Sequence, residues 1–438
     1  MFESLPVQLT FDPGGLGGTI RAIPSKSEAH RALLAAALVP AAPEPEEGKT
    51  GCPAGQTALV IEGDWSIDIQ TTADALAVLG KSVERRGGIA TVRPMSGQAS
   101  HQADCRESGS TLRFLLPVLA AKTGEPVTVT GEGRLPERPL TDLLRALRAN
   151  GARIEGEKLP LVVHGGLRSG CFELPGNVSS QYISGLLFAL PGLAGDSEIR
   201  LSTDLESASY VELTIQVLAE FGVRVEPCQG GWHVPGGQRF VSPGEYRVSG
   251  DWSNAAVWLA AGVLGNRPVT VTGLANHGQG DRAILAVLRQ FGAKLEQTEN
   301  GLTAYPSSLC ACTVDMRDIP DLLPVLAVVA THAKGTTRLV NAARLRLKES
   351  DRLAAVTALL ARLGAQVREL PDALEITGSP LTGGTVDSAN DHRLVMAAAL
   401  ASVVASEPVS VHGFPAIAKS YPAFAKDFIA LGGVVHVV

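Results

Sequence analysis

The chain has 438 residues, enough for two or three domains rather than one. Hydrophobic residues make up 45% and charged residues 19% of the sequence, a balance that excludes wholesale disorder. The 38 lysines and arginines against 44 acidic residues give a net charge of −6, and aromatic residues are only 5%. Because nucleic-acid-binding proteins are usually basic and often carry aromatic stacking surfaces, neither DNA nor RNA is the expected partner.

The first residues, MFESLPVQLTFDP, contain neither the basic segment nor the apolar segment of a secretion signal. The longest apolar stretches, residues 32–42 and 322–330, are shorter than the ~18 residues needed to cross a bilayer. We therefore expect a cytoplasmic protein that makes no contact with a membrane.

The cysteines are scattered and lack C-x-x-C spacing. They stand at six positions: Cys52, Cys105, Cys171, Cys228, Cys310 and Cys312. This spacing indicates neither a zinc site nor a disulfide, so no metal is expected. The interpretation is that they are small, reduced core residues.

One pattern recurs along the whole chain: an apolar helical segment that ends in glycine and is followed at once by an alternating strand. The glycines that mark it are 68 to 72 residues apart: Gly80, Gly151, Gly222, Gly292, Gly364 and Gly432. Leu or Val at i, i+3 and i+4 predicts one apolar helix face, and the glycine allows the left-handed backbone that ends a helix. Six such repeats predict six split βαβ-type modules, arranged as two lobes of three.

The last copy ends at the C-terminus before a second strand can follow, so its partner strand must come from elsewhere. The N-terminal segment PVQLTF is the candidate, and this closure would make one domain discontinuous.

Residues 41–57, AAPEPEEGKTGCPAGQT, are rich in Pro, Gly and Glu and show no periodicity. They are predicted to form an exposed insertion loop.

Polar clusters precede the apolar helices of the N-terminal half. Lys26, Ser27 and Arg31 stand at the start of one helix, and Gly109 opens another. Free amides at a helix N-terminus, together with hydroxyls and cations, suit an anion, although a capping serine with surface cations is the alternative. Arg138 follows a proline turn, where a guanidinium can bind a carboxylate in bidentate fashion or pair with a neighbouring glutamate. A further helix is preceded by a neutral hydroxyl and amide set: Ser179, Ser180 and Gln181.

The C-terminal half repeats this design. Asp321 follows a proline at the start of a very apolar helix, where a capping role is the alternative. Lys348 and Arg352 are spaced i, i+4, which predicts that they lie on one face of a helix. Arg393 and Lys419 precede two more helices.

Cationic helix N-termini from both halves predict a positive pocket between the lobes of an otherwise acidic protein. Its ligand should carry more than one anionic group. Two carboxylates, Asp321 and Glu349, lie among these cations and are candidate acid and base residues.

The motifs SKSxxxR, GSTxR, GxxRLxxRPL, SSQ, IPD, KESDR and NDHR, followed by a late lysine, occur in an order that resembles the EPSP synthase (3-phosphoshikimate 1-carboxyvinyltransferase) family. The resemblance runs from Lys26 to Lys419. It implies an α+β fold (α/β by repeat unit), a two-lobed inside-out α/β barrel with three βαβαββ repeats in each lobe. Residues 1–22 and 250–438 would form the lobe for phosphoenolpyruvate and the catalytic carboxylates, and residues 23–249 the lobe for shikimate 3-phosphate.

The resemblance implies transfer of the enolpyruvyl group of phosphoenolpyruvate to the 5-hydroxyl of shikimate 3-phosphate, with release of phosphate, in aromatic amino acid biosynthesis. The reaction is an addition followed by an elimination, through a tetrahedral intermediate, and needs no cofactor. The expected partners are these two small anions, and a monomer is expected.

The resemblance also implies site residues. Asp321 would be the base, Glu349 the acid, and Lys26 a further catalytic residue. Shikimate 3-phosphate would be held by Lys26, Ser27, Arg31, Ser179, Ser180, Gln181, Ser207, Asp321 and Lys348, with Tyr210 lining the ring. Phosphoenolpyruvate would be held by Lys26, Gly109, Arg138, Gln181, Arg352, Arg393 and Lys419.

The sequence departs from the family pattern at several positions. Pro24 replaces a glycine of the usual PGSKS, Glu107 stands where many members carry Asn, and Arg344 replaces a substrate-contacting Asn. These departures leave the contacts of Glu107 and Arg344 open.

Three alternatives compete with this hypothesis. The sister transferase that acts on UDP-N-acetylglucosamine shares the repeats, but it typically carries a Lys-Asn pair and a loop cysteine, both missing here. An RNA 3′-terminal phosphate cyclase built on similar modules disagrees with the acidic charge. A non-catalytic anion-binding homologue disagrees with the presence of Asp321, Glu349 and Lys26.

Overall fold

The structure, a computed structural model, describes residues 6–40, 56–275 and 278–437. Contacts between α-carbons divide them into two compact units. The terminal unit contains residues 6–23, 64–66, 249–275 and 278–437, and the central unit contains residues 24–40, 56–63 and 67–248. The sequence pattern does not single out the short segment 64–66, which belongs to the terminal unit.

The strands are short. They are β1 (Gln8–Phe11), β2 (Gly18–Arg21), β3 (Thr57–Val60), β4 (Lys81–Arg86), β5 (Ile89–Pro94), β6 (Gln102–Asp104), β7 (Val127–Thr130), β8 (Ile154–Glu155), β9 (Leu161–Val163), β10 (Cys171–Leu174), β11 (Ser197–Leu201), β12 (Glu226–Cys228), β13 (Gly231–Val234), β14 (Glu245–Arg247), β15 (Val269–Thr272), β16 (Lys294–Thr298), β17 (Gly301–Tyr305), β18 (Thr313–Asp315), β19 (Thr336–Val340), β20 (Gln366–Glu369), β21 (Leu374–Thr377), β22 (Gly384–Asp387), β23 (Val409–His412) and β24 (Val435–Val437).

The α-helices between them are α1 (Lys26–Leu38), α2 (Ile67–Ala75), α3 (Gly109–Ala121), α4 (Thr141–Ala149), α5 (Ser180–Ala189), α6 (Ala208–Glu220), α7 (Trp252–Leu264), α8 (Ile284–Gln290), α9 (Leu323–Thr331), α10 (Arg352–Arg362), α11 (His392–Ser402) and α12 (Phe424–Ala430). Short 3-10 helices occupy Leu76–Leu79, Leu135–Glu137, Leu190–Gly192, Gly280–Ala283, Pro320–Leu322, Ala343–Leu347 and Phe414–Lys419.

Six four-stranded sheets share one topology. The central unit has the orders β14-β3-β5-β4, β6-β7-β9-β8 and β10-β11-β13-β12, and the terminal unit has β2-β15-β17-β16, β18-β19-β21-β20 and β22-β23-β1-β24. In each sheet the first two strands are parallel and the other neighbours are antiparallel. The predicted fold class, an α+β protein of six repeats with three in each unit, is confirmed.

The glycines that mark the repeats have the predicted backbone. All six adopt φ between 69° and 95°, the left-handed region in which a helix ends. The first copy differs slightly, because its helix α2 continues into the 3-10 turn Leu76–Leu79 before Gly80.

The last repeat closes with the first strand of the chain, as predicted. In β1, Leu9 faces Val437 and Phe11 faces Val435 of β24, in antiparallel register. On its other side β1 pairs with β23. Strands more than 400 residues apart therefore complete one sheet of the terminal unit.

The core of the terminal unit is formed by helices that are apolar on every side. Every residue of α7, α9 and α11 is buried, and the three helices pack against one another. Helices with Ala, Leu and Val all around have no solvent face to offer. The polar residues of these helices therefore lie mainly in their first and last turns.

Three sequence-based expectations need correction. Lys348 and Arg352 do not share a helix face, because α10 begins only at Arg352, with Asp351 as its N-cap. Residues 41–55 of the predicted insertion loop lie outside the described residues, and Thr57 is buried in β3. Of the five described cysteines, which are free, only Cys105 is a buried core residue; the exposed ones are Cys171, Cys228 and Cys310.

Within residues 6–40, 56–275 and 278–437, no helix is long and apolar enough to span a bilayer.

Candidate active site

The N-terminus of α1 carries the first predicted cluster. Ser25 is the N-cap and accepts a hydrogen bond from the amide of Glu28 at 3.3 Å, so the capping interpretation holds for this serine. Lys26 Nζ lies 2.9 Å from Asp68 Oδ2 on α2, and Ser27 is half-buried.

Arg31 is buried in the central unit rather than exposed at its surface. Its Nε donates to Thr214 Oγ1 at 2.7 Å, its Nη1 to the Ser27 carbonyl at 2.7 Å, and its Nη2 to Ser184 Oγ and the Tyr210 carbonyl. Among the described residues, four of the five N–H groups of this guanidinium are therefore used by the protein, which leaves one for a ligand. These bonds join α1 to α5 and α6.

Burial lowers the pKa values of two residues near the start of α1, and repulsion between cations lowers one of them further. Burial lowers the pKa of Arg31 to about 10, although Tyr210 and Glu28 counteract it. Burial also lowers the pKa of His30 well below its ordinary value, with Lys26 and Arg31 adding to the effect. His30 is therefore neutral at physiological pH, and the positive charge is concentrated on its neighbours.

Gly109 opens α3 beneath two guanidiniums. A Cβ at this position would lie 2.7 Å from Nη1 of Arg113 and 2.7 Å from Nη1 of Arg138. Only glycine leaves room for both cations to approach the backbone here. The predicted pair of Gly109 and Arg138 is thus brought together, with Arg113 as a third member.

Gln181, in the first turn of α5, is linked to α3. Its Nε2 donates to Ser110 Oγ at 2.9 Å, and its Oε1 accepts from Arg113 Nη1 at 2.9 Å. Arg113 Nη2 also donates to the Pro139 carbonyl, at 3.0 Å.

Hydroxyl groups line the starts of α5 and α6. Ser179 is the N-cap of α5 but caps no amide with its side chain, and Ser180 is buried in the first turn. Ser207, the N-cap of α6, is buried with φ 56° and ψ 42°, a left-handed conformation that is rare outside glycine. Such strained residues concentrate at functional sites. Tyr210 lies one turn further along α6 and is buried.

The terminal unit brings three carboxylates from two repeats to one guanidinium, that of Arg352. Its Nη1 donates to Asp321 Oδ1 at 2.5 Å, its Nη2 to Glu349 Oε2 at 2.8 Å, and its Nε to Asp391 Oδ2 at 2.8 Å. The Arg352 side chain is 2% exposed. Both predicted catalytic carboxylates therefore lie on a single buried cation.

Asp321 is surrounded by cations and caps no helix. Lys348 Nζ lies 3.5 Å from its Oδ1 and Arg393 Nη2 lies 3.9 Å from its Oδ2. Burial alone would raise the pKa of Asp321, but Lys348, Arg352 and Arg393 outweigh it and hold the pKa well below its ordinary value. Asp321 is therefore ionised at neutral pH.

Arg393 and Lys419 complete the cationic side of this cluster. Arg393 is buried in the first turn of α11, and among the described residues its Nε and Nη1 have no hydrogen-bond partner. Buried guanidinium donors without a partner are costly and indicate that an anion binds there. Lys419 is also buried and donates to the Asn390 carbonyl at 2.8 Å.

Two acidic residues near this cluster had no role assigned from the sequence, although Asp391 stands in the NDHR motif. Asp391 is fully buried, caps α11, and accepts from Ser350 and Arg352. Asp281, also fully buried, accepts a hydrogen bond from Ser253, which in turn accepts from Gln279 at 3.0 Å. Asp281 lies in the short 3-10 helix Gly280–Ala283, which is too short for a periodic pattern, so only the fold reveals its burial.

Two of the three departures from the family pattern, Glu107 and Arg344, contact backbone groups of their own units. The Glu107 carboxylate lies against the backbone of Gly133, in the loop that leads to Arg138. Arg344 donates to the carbonyl of Arg317. Over the described part of the chain, no three His, Cys, Asp or Glu side chains are grouped as a metal site requires.

Comparison with known proteins shows the family to which the chain belongs. The sequence profile of EPSP synthase (3-phosphoshikimate 1-carboxyvinyltransferase) matches residues 12–428. A 3-phosphoshikimate 1-carboxyvinyltransferase of Clostridium kluyveri is 40% identical over 434 residues, which cover 98% of each chain. One from Clostridium novyi is 39% identical, with 97% of each chain covered. The structure of an EPSP synthase from Acinetobacter baumannii superposes with a TM-score of 0.80 at 25% identity, covering 98% of this chain and 99% of that one.

These matches place the chain in an enzyme class, the carboxyvinyl transferases. Within that class, the chain belongs to the EPSP synthase (3-phosphoshikimate 1-carboxyvinyltransferase) family. The resemblance inferred from its motifs is thereby confirmed.

Proposed function

We propose that this chain transfers the enolpyruvyl group of phosphoenolpyruvate to the 5-hydroxyl of shikimate 3-phosphate and releases phosphate. Family membership supports the reaction. The observation that carries the assignment of residues is the position of Arg352, which bonds both Asp321 and Glu349. One cation thereby holds the two carboxylates that an addition and elimination reaction needs as base and acid.

Asp321 is the base. It is ionised because its pKa is held low, and it accepts the proton of the 5-hydroxyl as that oxygen bonds to C2 of phosphoenolpyruvate. Surrounding cations weaken its basicity, so the proton transfer takes place as the new bond forms.

Glu349 is the acid. It gives its proton to the methylene carbon, C3, so that the addition yields a tetrahedral intermediate with a methyl group. In the elimination the bond from C2 to the phosphate oxygen breaks, phosphate leaves, and the methyl group returns a proton to the Glu349 carboxylate. The proton that Asp321 took from the 5-hydroxyl passes to the departing phosphate. Asp321 and Glu349 therefore both end as they began, and atoms and charges balance across the two steps.

Arg352 couples substrate binding to these carboxylates. Nε and Nη2 bond Asp391, Nη2 also bonds Glu349, and Nη1 bonds Asp321. Four of its five N–H groups are thus occupied. To bind the carboxylate of phosphoenolpyruvate in bidentate fashion, Arg352 must release one catalytic carboxylate, which then becomes available for proton transfer.

The remaining residues bind the two anions. Arg393 and Lys419 bind phosphoenolpyruvate, together with Gly109 and Arg138 of the central unit. The buried Nε and Nη1 of Arg393 have no partner among the described residues and are available to this anion. Shikimate 3-phosphate is held by the hydroxyl groups at the helix starts and by cations, namely Ser27, Arg31, Ser179, Ser180, Ser207 and Lys348. Lys26 and Gln181 contact both substrates, and Lys26 also acts in catalysis.

The test is an acceptor comparison with the purified chain. Phosphate release from phosphoenolpyruvate is measured with shikimate 3-phosphate and, separately, with UDP-N-acetylglucosamine. Turnover and a product with the mass of the enolpyruvyl adduct are expected only with shikimate 3-phosphate. Turnover with the UDP-sugar alone would overturn the proposal, and absence of turnover with either acceptor would indicate a non-catalytic anion-binding protein.

A further inference from the structure

One buried guanidinium in the central unit has no role in the reaction proposed above. Arg113, in the first turns of α3, is 3% exposed. Its side chain contacts three different elements that each carry a proposed ligand for phosphoenolpyruvate. Those ligands are Gly109, Gln181 and Arg138.

The contact with Gln181 determines which way its side-chain amide faces. Arg113 carries only hydrogen-bond donors, so its Nη1, 2.9 Å away, must meet the amide oxygen Oε1. The amide nitrogen Nε2 then faces Ser110 Oγ at 2.9 Å and has a second N–H to offer. Arg113 thereby makes Gln181 a donor toward the substrates, which suits phosphate and carboxylate oxygens.

The contact with the loop after Leu135–Glu137 fixes a second ligand. Arg113 Nη2 donates to the Pro139 carbonyl at 3.0 Å, and Tyr182 Oη donates to the same oxygen at 2.5 Å. The guanidinium also lies 5.7 Å from the centre of the Tyr182 ring. Because Pro139 follows Arg138 directly, this anchored carbonyl restricts the backbone that carries the Arg138 side chain.

The third contact is with the start of its own helix. A Cβ on Gly109 would lie 2.7 Å from Arg113 Nη1, the same distance as from Arg138 Nη1. The two guanidiniums therefore lie side by side under the first residue of α3.

We propose that Arg113 is a positioning residue for phosphoenolpyruvate binding. It acts through Gln181 and Arg138 rather than by taking part in the chemistry. This inference rests on the proposed function and extends it to a residue that the family motifs leave without a role. The planar fork of a guanidinium can satisfy two acceptors at fixed angles, whereas a lysine can satisfy only one of them well.

A double-mutant cycle tests the inference. The values of kcat and of KM for phosphoenolpyruvate are measured for wild type, Arg113→Met, Gln181→Ala and the double variant. Arg113→Met should lower kcat/KM by about 100-fold, as expected when reacting groups are displaced by roughly 1 Å. In the double variant, the combined loss should fall short of the product of the single losses by at least ~5-fold.

Two further variants separate positioning from folding. Arg113→Lys should lose less activity than Arg113→Met, and it replaces Arg113→Met in the cycle if that protein does not fold. Arg148→Met is the matched control, because Arg148 also bonds backbone carbonyls of the central unit, those of Ile154 and Gly156, away from the proposed ligands. It should lower the unfolding temperature and leave kcat/KM unchanged.

The outcomes are distinguishable. Losses that multiply in the double variant would overturn the inference, as would an Arg113→Met protein with a lower unfolding temperature but an unchanged kcat/KM. A wild-type protein that releases no phosphate in the same assay would overturn the proposed function first, and the inference with it.

Discussion

Arg352 donates a hydrogen bond from Nη1 to Asp321 Oδ1 at 2.5 Å. The proposed base is thus paired with the cation that we propose to bind the carboxylate of phosphoenolpyruvate. Removing one partner of a buried ion pair leaves the other uncompensated, so substitutions here affect both folding and chemistry. Isosteric substitutions therefore test the roles better than truncations do.

Replacing Asp321 by Asn should lower kcat at least ~100-fold, because the amide cannot accept the 5-hydroxyl proton. The amide keeps the shape of the carboxylate, so the fold measured by circular dichroism should be retained. Asp315→Asn is the matched control, since Asp315 pairs with Arg317 at the surface of the same unit. Phosphate release is the readout, and a near-normal rate for Asp321→Asn would refute the role of base.

Replacing Glu349 by Gln should lower kcat by a similar factor of at least ~100, because the amide has no proton to give to C3. A specific readout is deuterium exchange: wild type incubated with both substrates in D2O should place deuterium on the C3 methylene of phosphoenolpyruvate. Glu349→Gln should lose this exchange, while Glu369→Gln, at the Arg346 ion pair, should keep it. Exchange that persists in Glu349→Gln would assign the acid to another group.

Replacing Arg393 by Met should raise KM for phosphoenolpyruvate by about 10–100-fold, the loss expected for hydrogen bonds to a charged group. KM for shikimate 3-phosphate should change little. Because Nε and Nη1 are buried without partners among the described residues, their removal should not destabilise the ligand-free protein through lost hydrogen bonds. Steady-state kinetics with each substrate varied checks this, and equal changes in both KM values would contradict it.

A methyl group on Gly109 should disturb phosphoenolpyruvate binding more than stability. The new Cβ would meet the flexible ends of two arginines, Arg113 and Arg138, which can move aside at small cost to folding. Their displacement should raise KM for phosphoenolpyruvate by about 10–100-fold in Gly109→Ala. Gly192→Ala is the control, because a Cβ there meets nothing within 4 Å. An unchanged KM in Gly109→Ala would show that this contact does not position the cations.

Asp281 should make the protein less stable as the pH rises. Burial, with a further contribution from Asp321, raises the pKa of Asp281 to about 7, although Ser253 and Arg393 oppose the shift. Between pH ~4 and ~7 the unfolded chain has already lost this proton while the folded chain retains it, so folding stability falls across that range. Above pH ~7 the penalty is constant.

Asp281→Asn removes this titration. The unfolding temperature of the variant, relative to wild type, should therefore increase from pH 4 to pH 7 and then level off. Thermal unfolding followed by circular dichroism in a series of buffers measures the difference. A difference that is constant over this range would show that Asp281 does not titrate there.

The repeat architecture was accessible from the sequence because its signals are local. In each repeat, the helical segment before the alternating strand ends at a glycine with positive φ. The last repeat lacks a second strand in the sequence that follows it, which pointed to β1 as the partner of β24. The helix boundary at Arg352 was missed although its signal was present: Asp351 is an ordinary N-cap residue, which excludes Lys348 from the helix.

The side-chain geometry of the candidate site was not accessible in the same way. Arg352 contacts carboxylates at positions 321, 349 and 391, which lie on separate segments of two repeats. No spacing rule predicts that such segments meet at one side chain. Likewise, the motif GSTxR contains Arg113, but the sequence does not show what its side chain contacts. Its contacts with Gln181 and Pro139 depend on how α3 packs against α5.

The pairing of β1 with β24 has a consequence for the order in which the protein assembles during synthesis. The central unit ends at residue 248, so its three sheets can form while most of the terminal unit is still to be translated. The strand at Gln8–Phe11, although made first, must wait for Val435–Val437 before its sheet is complete. We therefore expect that a chain released from the ribosome before β24 is made contains a folded central unit, while its N-terminal strand remains exposed.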